Sequence, residues 1–133
     1  MPDALTAVCL GVADLGRSIR FYRDGLGWST DSPPGAPIAF FDFAGTRLAL
    51  LPAERLADYL GLPAPPPQAA GAAYISLHLA SPAEVVALLA RAESAGATLL
   101  RPLAPTFWGG HYATFSDPDG HVWEVACGGG GAV

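Results

Sequence analysis

The sequence carries little charge, and its positive charge is not clustered. Only 14% of its 133 residues are charged, and seven basic residues are scattered along a chain whose formal net charge is −5. Proteins that bind nucleic-acid phosphates need clustered lysines and arginines. The composition therefore argues against a nucleic-acid partner. It favours a globular domain instead, because 51% of the residues are hydrophobic and can fill a packed core.

Long apolar runs and cysteine motifs are also missing. No segment approaches the roughly 20 apolar residues of a membrane span, and the N-terminus shows no basic region followed by a cleavable apolar stretch. We therefore expect a cytoplasmic protein that does not associate with membranes. Neither Cys9 nor Cys127 belongs to a CxxC pair. We expect Cys9 to be a small buried hydrophobe, and we expect no structural disulfide.

The chain does contain the same order of predicted elements twice. In the first half, hydrophobic alternation and helical spacing predict strands and helices at residues 5–13 (strand), 14–26 (helix), 28–30, 38–43 and 47–51 (strands) and 54–61 (short helix). The second half repeats this order, with elements at residues 73–80 (strand), 82–95 (helix), 98–103, 112–115 and 121–126 (strands). Ser81, Pro82 and Glu84 form a capping box where the second long helix begins.

This repeat predicts an α+β fold of two βαβββ modules. We expect one domain over residues 1–133, with module 1 at about 1–62, a linker at about 63–72, module 2 at about 73–127 and a flexible tail at 128–133. The linker composition, PAPPPQAAG, favours an extended polyproline II segment. The pattern leaves open whether the modules pair within one chain or between two chains.

The segment FSDPDGHVWEVA, residues 115–126, places a carboxylate inside a predicted strand. Its DPDG sequence is typical of a type I turn, so a hairpin is expected. Beyond the turn, alternation puts Trp123 and Val125 on the core-facing side of the sheet and Glu124 on the other. We therefore treat Glu124 as the first candidate for a functional side chain.

Two motifs resemble the vicinal oxygen chelate superfamily, which includes glyoxalase I, extradiol dioxygenases, and fosfomycin- and bleomycin-resistance proteins. They are VADLGRSIRFYRDGLGW in the first half and WGGHYATFSDPDGHVWEVA near the end. The resemblance covers nearly the whole chain. It implies two βαβββ modules whose sheets form a curved, mainly antiparallel cup, with helices outside and the ligand inside. It also implies a homodimer.

In members of this superfamily that use a metal, four strands each contribute one ligand. The resemblance places these positions at Ala7, at Ala49 or Leu50, at Tyr74 and at Glu124. Only the last keeps a carboxylate. A catalytic divalent ion needs about three protein ligands, so we expect no bound metal and no other cofactor.

A relocated metal site is an open alternative. His78 and Glu124 with His111 or His121 would supply its ligands, although alternation points His121 to the side of Trp123. Otherwise Glu124 is a catalytic base, a hydrogen-bond acceptor for a ligand, or an inherited carboxylate bonded to neighbouring side chains or water.

The segment PTFWGGHY, residues 105–112, places Phe107 and Trp108 beside two glycines. This composition favours a mobile aromatic rim that stacks on a ligand, or an aromatic plug at the sheet edge. The predicted ligand-binding residues are Cys9, Tyr74, Ser76, His78, Phe107, Trp108, His111 and Glu124.

Two functions follow from these observations. The first is a metal-independent binding protein of the glyoxalase/bleomycin-resistance type that sequesters an aromatic or apolar compound such as an antibiotic. The alternative is an enzyme: a metal-free lyase, isomerase or hydrolase that uses Glu124, or a glyoxalase I-like isomerase with displaced metal ligands.

Overall fold

The structure, a computed structural model, describes residues 5–65 and 73–129. The chain divides into two compact units, Met1–Pro67 and Gln68–Val133. Most of the predicted linker and the end of the predicted tail lie outside the described residues. No helix in the described parts of the chain is long and apolar enough to cross a membrane.

The first unit is a three-stranded sheet with two helical segments. Its elements are β1 (Ala7–Val12), α1 (Leu15–Ile19) continuing as a π-helix (Arg20–Gly25), β2 (Ala39–Phe43), β3 (Thr46–Pro52) and α2 (Ala53–Leu60). The central strand β3 pairs in parallel with β1 and antiparallel with β2. Asp14 caps α1, because its carboxylate accepts a hydrogen bond from the Arg17 amide at 3.0 Å. The predicted helices of this half are confirmed.

The predicted strand at residues 28–30 does not form, so the first unit departs from the βαβββ order. Two hydroxyl groups satisfy the outer backbone of β2 instead: Thr30 Oγ1 donates to the Phe40 carbonyl at 2.5 Å, and Ser32 Oγ accepts from the Phe40 amide at 2.9 Å. Side-chain hydrogen bonds of this kind compete with a backbone ladder. The indole of Trp28 stacks on Tyr22, with ring centroids 5.5 Å apart.

The expectation that Cys9 is buried was wrong, because its thiol is exposed. The strand β1 is at the edge of the sheet, so Cys9 has a neighbouring strand on one side only. On the same face, α2 covers the position of Gly11, where an added Cβ would lie 3.0 Å from Leu56. Cys9 is exposed although its register partner on β3, Ala49, is completely buried.

The second unit has the predicted βαβββ order. Its elements are β4 (Tyr74–Leu79), α3 (Pro82–Ser94), β5 (Thr98–Pro105), β6 (Gly110–Ser116) and β7 (Val122–Gly128). The sheet order is β4-β7-β6-β5, with β4 parallel to β7 and the other pairs antiparallel. Ser81 caps α3 as predicted, because its Oγ accepts from the Glu84 amide. The Glu84 carboxylate accepts from the Ala80 amide at 2.8 Å, one residue before the N-cap amide that a capping box uses.

One face of this second sheet packs on α3 and forms the core of the unit. The ring of Trp123 is 1% exposed and stacks on Phe115 with centroids 6.4 Å apart. Val85 and Leu89 of α3 are buried, and α3 contacts β6 and β7. The predicted core-facing side of β7 is therefore confirmed, as is the α+β fold class. Glu124 lies on the opposite face.

Candidate functional site

The DPDG turn sets the position of Glu124. The carboxylate of Asp117 accepts hydrogen bonds from the amides of Asp119 and His121, at 3.0 and 2.8 Å. The Gly120 amide donates to the Asp117 carbonyl at 2.9 Å, and its φ of +89° favours glycine. This closed turn fixes the register of β6 against β7, so that Thr114 lies opposite Glu124.

Glu124 lies in a row of polar side chains that crosses the sheet. Ser76 on β4 and Thr114 on β6 are its register partners. Ser76 Oγ donates a hydrogen bond to Glu124 Oε1 at 2.6 Å, a short distance that is typical of a hydroxyl bonded to a carboxylate. Glu124 is 9% exposed, and no described residue donates a hydrogen bond to Oε2. One carboxylate oxygen is therefore fixed and the other is available to a ligand.

A second row on the same face is small in the middle and aromatic at its sides. Ala126 has His78 and Tyr112 as its register partners on the two neighbouring strands. Ala126 therefore places a small side chain between these two aromatic residues. The His78 ring lies near Trp108, with centroids 6.3 Å apart. We call this side of the sheet, defined by Ser76, Glu124 and the second row, the pocket face.

A pocket of about 200 Å³ lies on the pocket face. Its lining residues are Pro105, Thr106, Phe107, Trp108, Tyr112 and Glu124. Three of these described residues are aromatic, of which Phe107 is fully exposed, so Trp108 and Tyr112 form the walls; Glu124 is the one carboxylate among them. This combination of apolar walls and a few polar groups is typical of a small-molecule site.

The turn between β5 and β6 that holds Trp108 is closed by hydrogen bonds from Thr106. The hydroxyl of Thr106 accepts from the amides of Trp108 and Gly110, at 3.3 and 3.0 Å. The Thr106 amide donates to the Gly110 carbonyl at 2.9 Å. The aromatic rim of the sequence prediction is therefore a hydrogen-bonded hairpin tip.

The Trp108 indole packs closely against two glycines, Gly110 and Gly129, which we call the glycine seat. A Cβ added at Gly110 would collide with the Trp108 ring and with the Cys127 carbonyl, and a Cβ added at Gly129 would collide with the same ring. Sequence reasoning missed this seat, although the glycines after Trp108 and in the tail were a signal. It also missed Tyr112, which alternation along β6 places on the side of Thr114 and Glu124.

The remaining predicted site residues lie in different places. Tyr74 is on the pocket face but 57% exposed, and Phe107 is completely exposed at the hairpin tip. His111 pairs with Cys127 and alternates away from Tyr112, so it belongs to the opposite face. Cys9 lies in the first unit.

The residues present do not fit the metal site of the superfamily. Ala49 pairs with Cys9 and shares its face with Ala7, whereas Leu50 faces the other way, so the candidate position is Ala49. Neither alanine can coordinate an ion. Among residues 5–65 and 73–129, no three His, Cys, Asp or Glu side chains are grouped closely enough to hold a metal. That result also applies to the relocated site of His78 and Glu124.

Comparison with known proteins identifies the family. The model of the Glyoxalase/Bleomycin resistance protein/Dioxygenase superfamily matches residues 4–125. A glyoxalase-related enzyme from Fulvimarina pelagi is 31% identical over 96% of this chain and 89% of its own, with a TM-score of 0.87. No curated protein matches the chain significantly.

Two further solved structures share the fold. The fosfomycin resistance protein FosX from Listeria monocytogenes is 22% identical, covering 96% of this chain and 95% of its own, with a TM-score of 0.73. Lactoylglutathione lyase from Agrobacterium tumefaciens is 25% identical, covering 96% of each chain, with a TM-score of 0.69. The family match spans nearly the whole sequence and includes the first motif, all but the last residue of the second, and Glu124. The chain therefore belongs to the Glyoxalase/Bleomycin resistance protein/Dioxygenase superfamily.

Proposed function

We propose that the protein binds a small organic molecule with an aromatic or apolar body in the pocket above Glu124, without a metal ion. The observation that carries this proposal is the pocket itself, in which Trp108 and Tyr112 form aromatic walls around one fixed carboxylate. Burial of the ligand's apolar surface would supply most of the affinity, at roughly 25 cal/mol per Å². The polar row of Ser76 and Glu124 would fix its orientation.

Sequestration of an antibiotic or similar compound is the biological role that this binding mode supports. A binding protein of this kind protects by holding its ligand and needs no catalytic centre. The likeness to a fosfomycin resistance protein shows the shared fold, and the metal-ligand positions occupied by Ala7 and Ala49 favour binding over metal-assisted chemistry.

A metal-free enzyme is the second candidate, and the pair of Ser76 and Glu124 is the observation in its favour. A hydroxyl 2.6 Å from Oε1 holds the carboxylate in one position. A carboxylate fixed beside a pocket can accept a proton from a bound substrate through its other oxygen. The relative from Fulvimarina pelagi is described as a glyoxalase-related enzyme.

Metal content gives the first test of the proposal. Purified protein is expected to contain no stoichiometric zinc, nickel, manganese or iron, because the alanines at positions 7 and 49 supply no ligand. Chelator treatment is expected to leave the melting temperature unchanged. Elemental analysis and thermal denaturation measure the two quantities. About one metal equivalent per chain that is lost in Glu124→Gln would show that the metal-independent function is wrong.

Ligand binding and turnover give the second test. For a compound selected from a library of aromatic and apolar molecules, Trp108→Ala is expected to weaken binding by about 1–3 kcal/mol through lost stacking and buried area. Glu124→Gln is expected to keep measurable binding even where it lowers the affinity, because the aromatic walls stay in place and glutamine keeps a hydrogen-bonding group. Titration calorimetry measures both affinities.

The controls for this test separate the two functions. Tyr59→Ala removes an aromatic ring that is 83% exposed on α2, outside the pocket lining, and is expected to leave affinity unchanged. Each bound compound is also incubated with the protein and analysed for a product. If Glu124→Gln abolishes conversion while binding persists, Glu124 is catalytic and the sequestration proposal fails.

A further inference from the structure

We infer that the ligand of this pocket is an organic cation: a protonated amine, amidine or guanidine attached to a planar apolar body. This inference rests on the proposed binding function and adds the chemical class of the ligand. It follows from three observations. They are the negative charge of Glu124, the distance of the nearest basic side chain on the same sheet face, and the aromatic walls of the pocket.

No described basic residue of the second unit forms an ion pair with Glu124. Glu124 is 9% exposed, and its hydrogen-bond partner, Ser76, is a neutral hydroxyl. Removing a carboxylate from water is costly unless a cation or several donors compensate it. Here a single donor reaches Oε1 and no described residue donates to Oε2. A cationic group on the ligand would complete the coordination of the carboxylate.

The nearest basic residue on this row of the sheet does not supply that charge. Arg101 pairs with Thr114, which pairs with Glu124, so two strand spacings of about 5 Å each separate their backbones. The Arg101 guanidinium lies instead over the ring of Tyr112, 5.9 Å from its centroid. Arg101 is exposed to solvent, and water screens its effect on a cation bound at Glu124.

The aromatic walls favour a cation as well. The faces of tryptophan and tyrosine rings attract positive charge. Tyr112 already has the Arg101 guanidinium over its ring, and Trp108 lines the pocket with Glu124. An anionic ligand would be repelled by the carboxylate. A neutral ligand would contact the same walls but leave the carboxylate without a counter-charge.

Benzamidine, benzamide and benzoate form a matched set of probes, because they share a phenyl ring and differ in charge. In calorimetric titrations at low salt, benzamidine is expected to bind at least tenfold more tightly than benzamide, and benzoate more weakly than either. Glu124→Gln is expected to reduce the affinity for benzamidine to that for benzamide. Trp108→Ala is expected to weaken both probes and to weaken benzamidine more than benzamide, because the indole attracts the cation in addition to stacking on the phenyl ring.

Glu93→Gln is the control for charge. It changes the net charge of the chain by the same amount, but Glu93 lies exposed on α3, which packs on the opposite face of the sheet. It is expected to preserve the preference for benzamidine. Equal binding of the three probes, weakened by Trp108→Ala, would overturn the cation inference and leave the binding proposal intact. A preference for benzamidine over benzamide that remains in Glu124→Gln would also overturn the inference. If none of the three probes binds, both the cation inference and the proposed binding function are overturned.

Discussion

Replacing Trp123 by alanine is expected to lower the free energy of unfolding by about 3–5 kcal/mol, a typical loss for a buried aromatic ring. Trp123 is 1% exposed, and its ring is nearly parallel to that of Phe115, with 7° between the planes. Alanine would leave a cavity between the sheet and α3. Urea denaturation followed by far-ultraviolet circular dichroism measures the loss.

Trp123→Phe is the companion variant, because it keeps an aromatic ring beside Phe115 and remains measurable if the alanine variant does not fold. Its expected loss is smaller than that of Trp123→Ala. Glu124→Gln, one residue further along β7 but on the pocket face, is expected to change stability little. An alanine variant within about 1 kcal/mol of the wild type would contradict the core position of Trp123, given the usual cost of such a truncation.

The contrast between Trp123 and Glu124 shows which part of this protein is predictable from its sequence. In a strand, successive side chains point to opposite faces, so alternation alone separated the core residue from the pocket residue. The same rule puts Tyr74, Ser76 and His78, three of the predicted ligand-binding residues, on one face of β4. The helices were also predictable, because their signals lie in neighbouring residues. The capping residue Ser81 correctly marked the beginning of α3.

Features that depend on contacts between distant segments were not predictable in this way. The segment at residues 28–30 reads as a strand, but Thr30 and Ser32 bond the Phe40 backbone through their side chains. The exposure of Cys9 depends on the position of β1 at the edge of the sheet. Neither the hydrogen bonds to Phe40 nor the exposure of Cys9 can be predicted from the hydrophobic pattern of the neighbouring residues. The homodimer and the cytoplasmic location stay predictions.

The hairpin tip was predictable in composition but not in geometry. Its glycines indicated unusual backbone angles, and Gly109 does have a φ of +92°. The neighbouring Gly110 serves a different purpose, since it has no positive φ and is needed for close approach by the indole and by Cys127. Glycine is therefore required at position 109 for its backbone angle and at position 110 for close packing. Substituting each position by alanine can distinguish these two requirements.

Replacing Gly110 by alanine is expected to destabilise the protein by about 3 kcal/mol, at the upper end of the usual cost of overpacking. The new methyl group would collide with the Trp108 ring and with the backbone carbonyl of Cys127, and a carbonyl in a strand pair cannot move as a side chain can. The ring is expected to leave its seat, so binding in the pocket should weaken as it does in Trp108→Ala. Urea denaturation measures the first effect and calorimetry the second.

Gly109→Ala is the matched control, because no heavy atom lies within 4 Å of an added Cβ and its cost comes from the positive φ alone. That cost is about 1–2 kcal/mol. Both substitutions are then repeated in a Trp108→Ala background, where the collision with the ring is removed and the collision with Cys127 remains. The cost of Gly110→Ala is expected to fall in that background, while the cost of Gly109→Ala stays the same. An unchanged cost for Gly110→Ala would contradict the expected collision with the indole and would assign the whole cost to the Cys127 carbonyl.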